Sequence, residues 1–285
     1  MKFASLGSGS EGNALLISTA SHTSHSLFAA DDAKLATPAD TAAKPTTVML
    51  DCGFGIREAQ RRLARLGLSP HDLTGIVVTH EHQDHIAGVF KLARRFDIPV
   101  WLTYGTWQAA HHDSSGVELH FCRDGDAVAI GELTMLPYTV PHDAREPVQY
   151  CATDGRLKLG ILTDAGQSTA HMQAALGGCD ALLLECNYDP AMLANGPYPP
   201  SLKRRIAGVY GHLSNPASAA FLAELDRSKL NKVVGAHLST KNNTPVLARG
   251  ALEGVLDLAK TQVIIACQEE GFGWTPVAHL QEVQT

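Results

Sequence analysis

Residues 79 to 88 read THEHQDHIAG, directly after the apolar β-branched run GIVV. Three histidines, a glutamate and an aspartate fall within six positions, where a buried strand should be ending. Imidazole and carboxylate together are the ligand set that borderline divalent cations take. His80 and His82 are two apart, so extended backbone points both rings to the same side. Asp84 and His85 follow where the helical pattern IAGVFKLARRF begins, so the backbone turns between the two pairs. Such a turn can present one pair to each of two neighbouring cations. A solvated polar loop is the plain alternative, and the spacing H-x-H-x-D-H at a strand end makes it the weaker one.

Two cations need more donors than these. His142 follows LPYTVP, Asp164 ends LKLGILTD and His237 closes KVVGAH. Each stands at the C-terminal end of a strand candidate, where α/β folds collect their sites. Singly each is an ordinary polar strand end; as a set they supply the missing ligands.

Other chemistries lack their residues. His80-Glu81-His82 does not extend to HExxH, because position 84 is Asp, and no GxSxG turn is present. Gly7-Ser8-Gly9-Ser10-Glu11-Gly12 satisfies GxGxxG, yet the following NALLIST reads as a strand. A dinucleotide fingerprint needs a helix there, so the segment is read as a hairpin turn that can line a site, and no nucleotide cofactor is expected. The six cysteines are spread without a CxxC pair, which disfavours thiolate ligation and indicates reduced thiols.

These residues need a scaffold to hold them. The 285 residues are 45% hydrophobic and carry a formal net charge of -6, enough apolar material for a large domain and not the balance of a strongly basic nucleic-acid binder. No apolar run approaches membrane-spanning length and the N-terminus lacks a signal-peptide core, so a cytoplasmic protein without a membrane partner is expected. Strand candidates are KFASL, NALLIST, TVMLD, GIVVTH, IPVWLT, LTMLPYTV, LKLGILTD, ALLLEC, KVVGAHL and QVIIACQ. Helix candidates are IREAQRRLARLG, HIAGVFKLARRF, PASAAFLAELDRS and PVLARGALEGVLDLA, apolar at three- and four-residue spacings. The alternation indicates layered α/β architecture in one domain over 1–285. Residues 18–47, rich in Ala, Ser, Thr, Asp and Pro, read as a flexible insertion in it.

At this point the chain resembles the metallo-β-lactamase superfamily, whose ordered pattern is an early Asp, HxHxDH, a later His, an Asp and a last His. Here these are Asp51 in MLDCG, His80, His82, Asp84, His85, His142, Asp164 and His237. The segments GSGSEGN, PHDAREP, LTDAG, GPYPPSLKRRIAG, GHLSN and HLSTKNNTP narrow the likeness to the YycJ/WalJ-like subgroup of DNA exonucleases. Cys186 and Tyr188 in ECNYD depart from it, standing where that subgroup more often has a small residue and His.

The resemblance implies a four-layer αββα sandwich and a binuclear hydrolase. It assigns His80, His82 and His142 to one metal and Asp84, His85 and His237 to the other, with Asp164 between them. Asp51 would orient a ligating imidazole. Two divalent ions about 3.5–4 Å apart would share a hydroxide, with zinc foremost and manganese or iron tolerated. The segment GHLSNPASAA resembles the His-containing phosphate-binding loops of the nucleases tRNase Z and RNase J. It makes His212 a phosphate ligand and proton donor, with Asp84 as the other catalytic residue. Ser214 and Asn215 near the helix start, and Lys203 and Arg205 in the basic run, become substrate contacts; helix capping and a solvated face are their plain readings. The expected activity is phosphodiester hydrolysis of nucleic acid, DNA foremost, as a 5′–3′ exonuclease. Hydrolysis of a small ester, thioester or lactam on the same metals is the alternative, and a metal-stabilised scaffold is a third reading.

Overall fold

The structure of the protein, a computed structural model, describes residues 1–19 and 44–279. The chain opens with β1 (Lys2–Gly7), β2 (Ala14–Ser18) and β3 (Thr47–Leu50), paired antiparallel in order. Helix α1 (Ile56–Arg65) crosses to β4 (Gly75–Val77), which runs parallel to β3. Helices α2 (Gln83–Ile86) and α3 (Val89–Phe96) lead to β5 (Val100–Leu102), and α4 (Tyr104–Ala110) leads to β6 (Leu119–Phe121), both parallel additions.

A second sheet then repeats the plan. β7 (Val128–Ile130), β8 (Leu133–Thr139), β9 (Val148–Thr153) and β10 (Lys158–Leu162) pair antiparallel. After α5 (Ala170–Leu176), β11 (Ala181–Glu185) continues parallel to β10. The short helices α6 (Pro190–Asn195) and α7 (Pro200–Ile206) precede α8 (Asn215–Glu224), β12 (Lys232–Ala236), α9 (Pro245–Glu253) and β13 (Gln262–Ile265), all three strands being parallel. The last strand, β14 (Phe272–Pro276), returns to the first sheet beside β1. Among the described residues each sheet has seven strands, three antiparallel pairings followed by three parallel ones.

Three apolar clusters separate four layers. Between the sheets, Phe3, Ile17, Val48 and Leu50 meet Met135, Tyr150, Ile161, Leu183 and Val234. Outside the first sheet, Leu16, Met49 and Ile76 pack with Leu63 of α1 and Phe90 and Leu92 of α3. Outside the second, Leu162, Leu182, Leu184 and Val233 pack with α5, α8 and α9 through Met172, Leu176, Phe221, Leu222 and Leu252. Strands buried on both faces read as unbroken apolar runs, which is why ALLLE and TVML carry no alternation. The architecture is the αββα sandwich expected.

Four strands escape the sequence pattern. β6, β7 and β14 are sheet edges, short and part-exposed, so they carry little of the apolar signal. β9 lies inside its sheet, but carries Gln149, whose amide is satisfied by the Thr163 hydroxyl at 3.0 Å. Helices α4 to α7 are also absent from the candidates; each is seven residues or fewer. HIAGVFKLARRF is broken at Ala87–Gly88. A Cβ at Gly88 would lie 1.9 Å from the Phe54 carbonyl oxygen, and Gly88 N donates to Cys52 O at 2.8 Å. The chain bends there to let the 52–54 loop in. The expected insertion over 18–47 falls largely on residues 20–43, outside the described ones; its flanks pair across β2 and β3, Ser18 opposite Thr47.

Candidate metal centre

The centre gathers where parallel strands of both sheets end. Asp51 follows β3 with a left-handed φ of 61°, and its amide donates to Val77 O at 2.9 Å. Its carboxylate accepts from the Thr79 amide and hydroxyl, each at 2.8 Å, and lies 2.8 Å from His85 Nδ1. The Asp51–Nδ1 bond leaves the other ring nitrogen of His85, Nε2, facing Asp164 Oδ2 at 3.3 Å and Asp84 Oδ2 at 3.5 Å. The Thr79 hydroxyl also touches His80 Nδ1 at 2.9 Å, so a single threonine sets two imidazoles.

The loop after β4 divides as the spacing suggested. His80 and His82 approach His142, with His82 Nδ1 and His142 Nε2 facing each other at 3.2 Å. Past the bend, Asp84 and His85 approach His237, whose Nε2 lies 3.4 Å from Asp84 Oδ2. Asp164 sits between the groups. Its Oδ1 is 3.4 Å from His237 Nδ1, 3.6 Å from His212 Nδ1 and 3.9 Å from His142 Nε2. Among the described residues, His80, His82 and His142 could hold one cation, and Asp84, His85 and His237 another; Asp164 joins further sets with His80 and His85, and with Glu185, His212 and His237.

The electrostatics separate the two sides. Burial disfavours charge on His85, yet Asp164, Asp84 and Asp51 raise it well above the ordinary histidine range. His237 is likewise pushed up to about 10 against its burial, by Asp164 and Asp84. Those carboxylates call for positive charge at their centre. Burial and neighbouring His85 instead drive His80 well below that range, and burial lowers His142. Both shifts favour an uncharged ring at His80 and His142. Burial would raise Asp164, but His237, His85, His80 and His142 hold it well below the usual carboxylate range. Burial pushes Asp51 up despite His85.

Other functional residues carry weaker sequence signals. Glu185 ends β11 in an apolar run, buried, with Oε1 2.7 Å from His212 Nδ1 and 3.6 Å from His237 Nδ1. Its place at a strand end matches that of Asp164 and was readable by the same rule. Asn13, from the glycine-rich turn, donates to Asp84 Oδ2 at 3.2 Å and lies 3.1 Å from His85 Nε2. Its Oδ1 accepts from Gly9 N at 2.8 Å, and Ser8 Oγ accepts from the His237 amide at 2.8 Å. The turn thus braces the centre, and its glycines admit what a side chain would block; a Cβ at Gly9 would lie 2.4 Å from Gln268 Oε1. Asn187 holds His237 through its carbonyl at 2.9 Å.

A cleft of about 400 Å³ opens onto the centre, lined by Asp84, Asp164, His212, His237, Tyr198 and Arg205 among others. Arg205 is also bonded to Asp143 at 2.5 Å. The remaining expected substrate contacts lie elsewhere. Lys203 donates to Ala194 O at 2.7 Å, Ser214 caps α8 by accepting from Ala217 N, and Asn215 is buried in a reciprocal 2.8 Å amide pair with Asn243. None of the three is among the residues that line this cleft. Of the two departures, Cys186 packs into the outer core of the second sheet, and Tyr188 bridges backbone to Ser214. No helix of the described residues is long and apolar enough to cross a membrane.

The family model described as beta-lactamase superfamily domain matches residues 46–237. The chain is 33% identical over 276 residues to exodeoxyribonuclease YycJ of Bacillus anthracis, covering 96% of this chain and 91% of that protein. To exodeoxyribonuclease WalJ of Streptococcus pneumoniae it is 32% identical over 208 residues, 70% of this chain and 77% of that one. Among solved structures it resembles the metallo-β-lactamase fold protein YhfI of Bacillus subtilis, with a TM-score of 0.67 at 14% identity, covering 96% and 98% of the two chains. With the fold, the clustered histidines and aspartates and these likenesses in agreement, the chain belongs to the metallo-β-lactamase superfamily of hydrolases, in its YycJ/WalJ-like subgroup.

Proposed function

We propose that the protein is a binuclear metal-dependent phosphodiesterase that degrades nucleic acid, with DNA as the preferred substrate and exonucleolytic cleavage as its mode. The donor set fits two cations. His80 Nε2 is buried with no hydrogen-bond partner, Asp164 Oδ2 is buried with only an ion-pair contact to His85 at 3.3 Å, and His82 Nδ1 and His142 Nε2 face each other at 3.2 Å. Unpaired buried polar atoms are costly, and a cation would satisfy them. His80, His82 and His142 would hold one ion and Asp84, His85 and His237 the other, with Asp164 shared. Five imidazoles and two carboxylates suit zinc, and manganese or iron is tolerated. Bound there, divalent ions supply Lewis acidity and a nucleophile at neutral pH.

The observation that carries the nuclease reading is the pairing of His212 with Glu185 in the wall of the same cleft. Nδ1 is tied to Glu185 Oε1 at 2.7 Å, which fixes the ring and leaves Nε2 without a protein partner among the described residues. A ring so held can contact a non-bridging phosphate oxygen and hand a proton to the departing sugar oxygen. Arg205 adds a cation at the cleft mouth for the phosphodiester backbone. Ser214 and Asn215 support the His212 loop. The two similar relatives named exodeoxyribonucleases support the same substrate class.

The test is His212→Ala on DNA and RNA labelled at either end. Cleavage should fall by about 10²–10⁴-fold with both metals retained. The deficit should shrink on bis-p-nitrophenyl phosphate, whose leaving group needs little protonation. Equal rates for both proteins on every nucleic acid, with turnover of a lactone or thioester, would overturn the reading in favour of small-ester hydrolysis.

A further inference from the structure

Tyr104, Trp107 and Phe121 form an aromatic cluster on the surface, outside the cleft. Tyr104 and Phe121 are each 51% exposed, although bulky aromatic side chains are usually drawn into the core. The rings meet at centroid distances of 5.3 Å for Tyr104–Phe121, 5.4 Å for Tyr104–Trp107 and 5.7 Å for Trp107–Phe121. They are held in place. The Trp107 indole donates to Ser114 Oγ at 3.1 Å, and Gln108 donates to the Tyr104 hydroxyl at 3.3 Å.

Their position follows from the sheet. Tyr104 lies just past the end of β5 and Phe121 ends β6, while the His80–His85 loop follows β4. β4, β5 and β6 are parallel neighbours, so the rings and the metal ligands share one edge of the sheet, about two strand spacings or roughly 10 Å apart. A single loop joins them. His82 Nε2 lies 3.2 Å from Asp143 O; three residues on, Glu146 accepts from the Gly105 amide at 2.6 Å, and its carbonyl accepts from Thr103 Oγ1 at 2.8 Å. Three residues span at most about 11 Å, or about three nucleotides at roughly 3.4 Å per stacked step.

Two arginines beside the rings are free to meet phosphate. Arg145, exposed in that loop, packs its stem within 3.1 Å of the position a Gly105 Cβ would take, and Arg123 follows Phe121 by two residues. Neither guanidinium has a hydrogen-bond or ion-pair partner among the described residues. Of the acids nearby, Glu81 accepts from the Arg145 amide at 2.7 Å, Glu146 accepts from that of Gly105, and Asp124, next to Arg123, pairs with His171 at 3.0 Å. Exposed rings with unpaired arginines alongside are what a single nucleic-acid strand needs, since every base has a face to stack and every linkage a charge to meet.

We infer that Tyr104, Phe121 and Trp107, with Arg145 and Arg123, form a stacking platform for the single-stranded flank of the nucleic-acid substrate beyond the scissile phosphate. The inference rests on the nuclease reading, and deepens it by naming a strand with splayed bases as what the enzyme holds. Intact duplex keeps its bases stacked on each other, so the platform selects frayed or single-stranded ends.

The test uses the metal-loaded full chain, a fluorescein-labelled single-stranded DNA oligonucleotide and the variant Tyr104→Ala/Phe121→Ala. Affinity should fall by about 5- to 150-fold per stacked base lost. The ratio of kcat/KM for the oligonucleotide to that for a dinucleotide, too short to reach the rings, should fall in step. Tyr104→Phe and Phe121→Tyr should keep both quantities near wild type. A double-alanine variant that binds the oligonucleotide as wild type does would overturn the platform and leave the nuclease reading standing. Wild type that binds through these rings without cleaving would retain the platform and sink the nuclease reading. Wild type that neither binds nor cleaves any strand would overturn both, and would leave the rings as a surface for a protein partner.

Discussion

The two sheets are built to one plan, yet they deliver the residues of the candidate centre differently. In the first half, a single loop after β4 carries His80, His82, Asp84 and His85 within six residues. In the second half no such loop exists. His142, Asp164, Glu185, His212 and His237 come one at a time, spread over almost a hundred residues, at or past the ends of β8, β10, β11 and β12 and, for His212, just before α8. A compact motif relies on local backbone geometry, because two residues of extended chain and a bend suffice to aim four side chains. A dispersed set relies on the sheet, because only parallel pairing of β10, β11 and β12 brings Asp164, Glu185 and His237 to one edge. The first half should therefore tolerate distant change and fail at its supports, and the second half should fail wherever a strand end is disturbed.

The largest effect is expected at the shared carboxylate. Asp164→Ala removes the group that faces His85, His142, His212 and His237, so bound metal should fall below two ions per chain. Loss of several kcal/mol of charge stabilisation means at least about a 10³-fold drop in rate. Elemental analysis with single-turnover kinetics checks this, and full metal occupancy with wild-type rate would show that the dispersed half is dispensable.

Asp51→Asn probes the support of the compact half. The 2.8 Å contact to His85 Nδ1 remains geometrically available, but the negative charge that fixes the donor tautomer is lost. Loss of such an outer carboxylate typically costs about 10–100-fold in metal affinity or activity. Competition with a chelator would measure it. A loss matching that of Asp164→Ala would erase the distinction between the two halves.

Asn13→Ala is the next step down. It deletes the donor to Asp84 and the acceptor for Gly9 N while leaving every expected ligand in place. Each lost hydrogen bond is worth about 0.5–1.5 kcal/mol, so a decrease of about tenfold in activity is expected, with the fold retained by circular dichroism.

The smallest effect concerns the packing of α1 on the first sheet, away from the centre. Arg62 of α1 donates to Leu6 O and Glu269 O, both at 2.6 Å, tying β1 to the segment before β14, and Glu58 pairs with it at 2.5 Å. Hydrogen bonds from Arg61 and Arg62 hold the Glu58 carboxyl down to about 2 from an ordinary value of 4.5. A carboxyl depressed in the folded state stabilises above its unfolded value, and that contribution fades as pH falls from about 4.5 through about 2. Because Glu58 is 35% exposed, screening limits it to less than about 1 kcal/mol. Urea titrations of wild type and Glu58→Gln should differ slightly at neutral pH and converge in acid; a gap that widened in acid would contradict the assignment.

The legible part of the molecule was the part encoded locally. THEHQDHIAG reads as a split ligand loop because strand alternation and a helix start are properties of adjacent residues. The buried strands announced themselves as apolar runs, and Asp164 and His237 as polar endings of such runs. Glu185 ended ALLLE in the same manner, and only its contact with His212, twenty-seven residues further on, gives it meaning. The edge strands β6, β7 and β14 left little trace, since exposure removes the hydrophobic pressure that writes a pattern.

Residue types and short-range spacing thus determined the donor chemistry, the layered class and one ligand loop, because those follow from side-chain periodicity and ligand preference. Tertiary structure alone decided which donors meet. It placed Asn13 and Ser8 of a glycine turn against the centre, withdrew Lys203, Ser214 and Asn215 from the cleft, and set Tyr104, Trp107 and Phe121 on the same sheet edge as the histidines. The physical reason is distance along the chain. Contacts between remote segments depend on sheet order and on how two sheets pack, and neither is written in any stretch short enough to have a period.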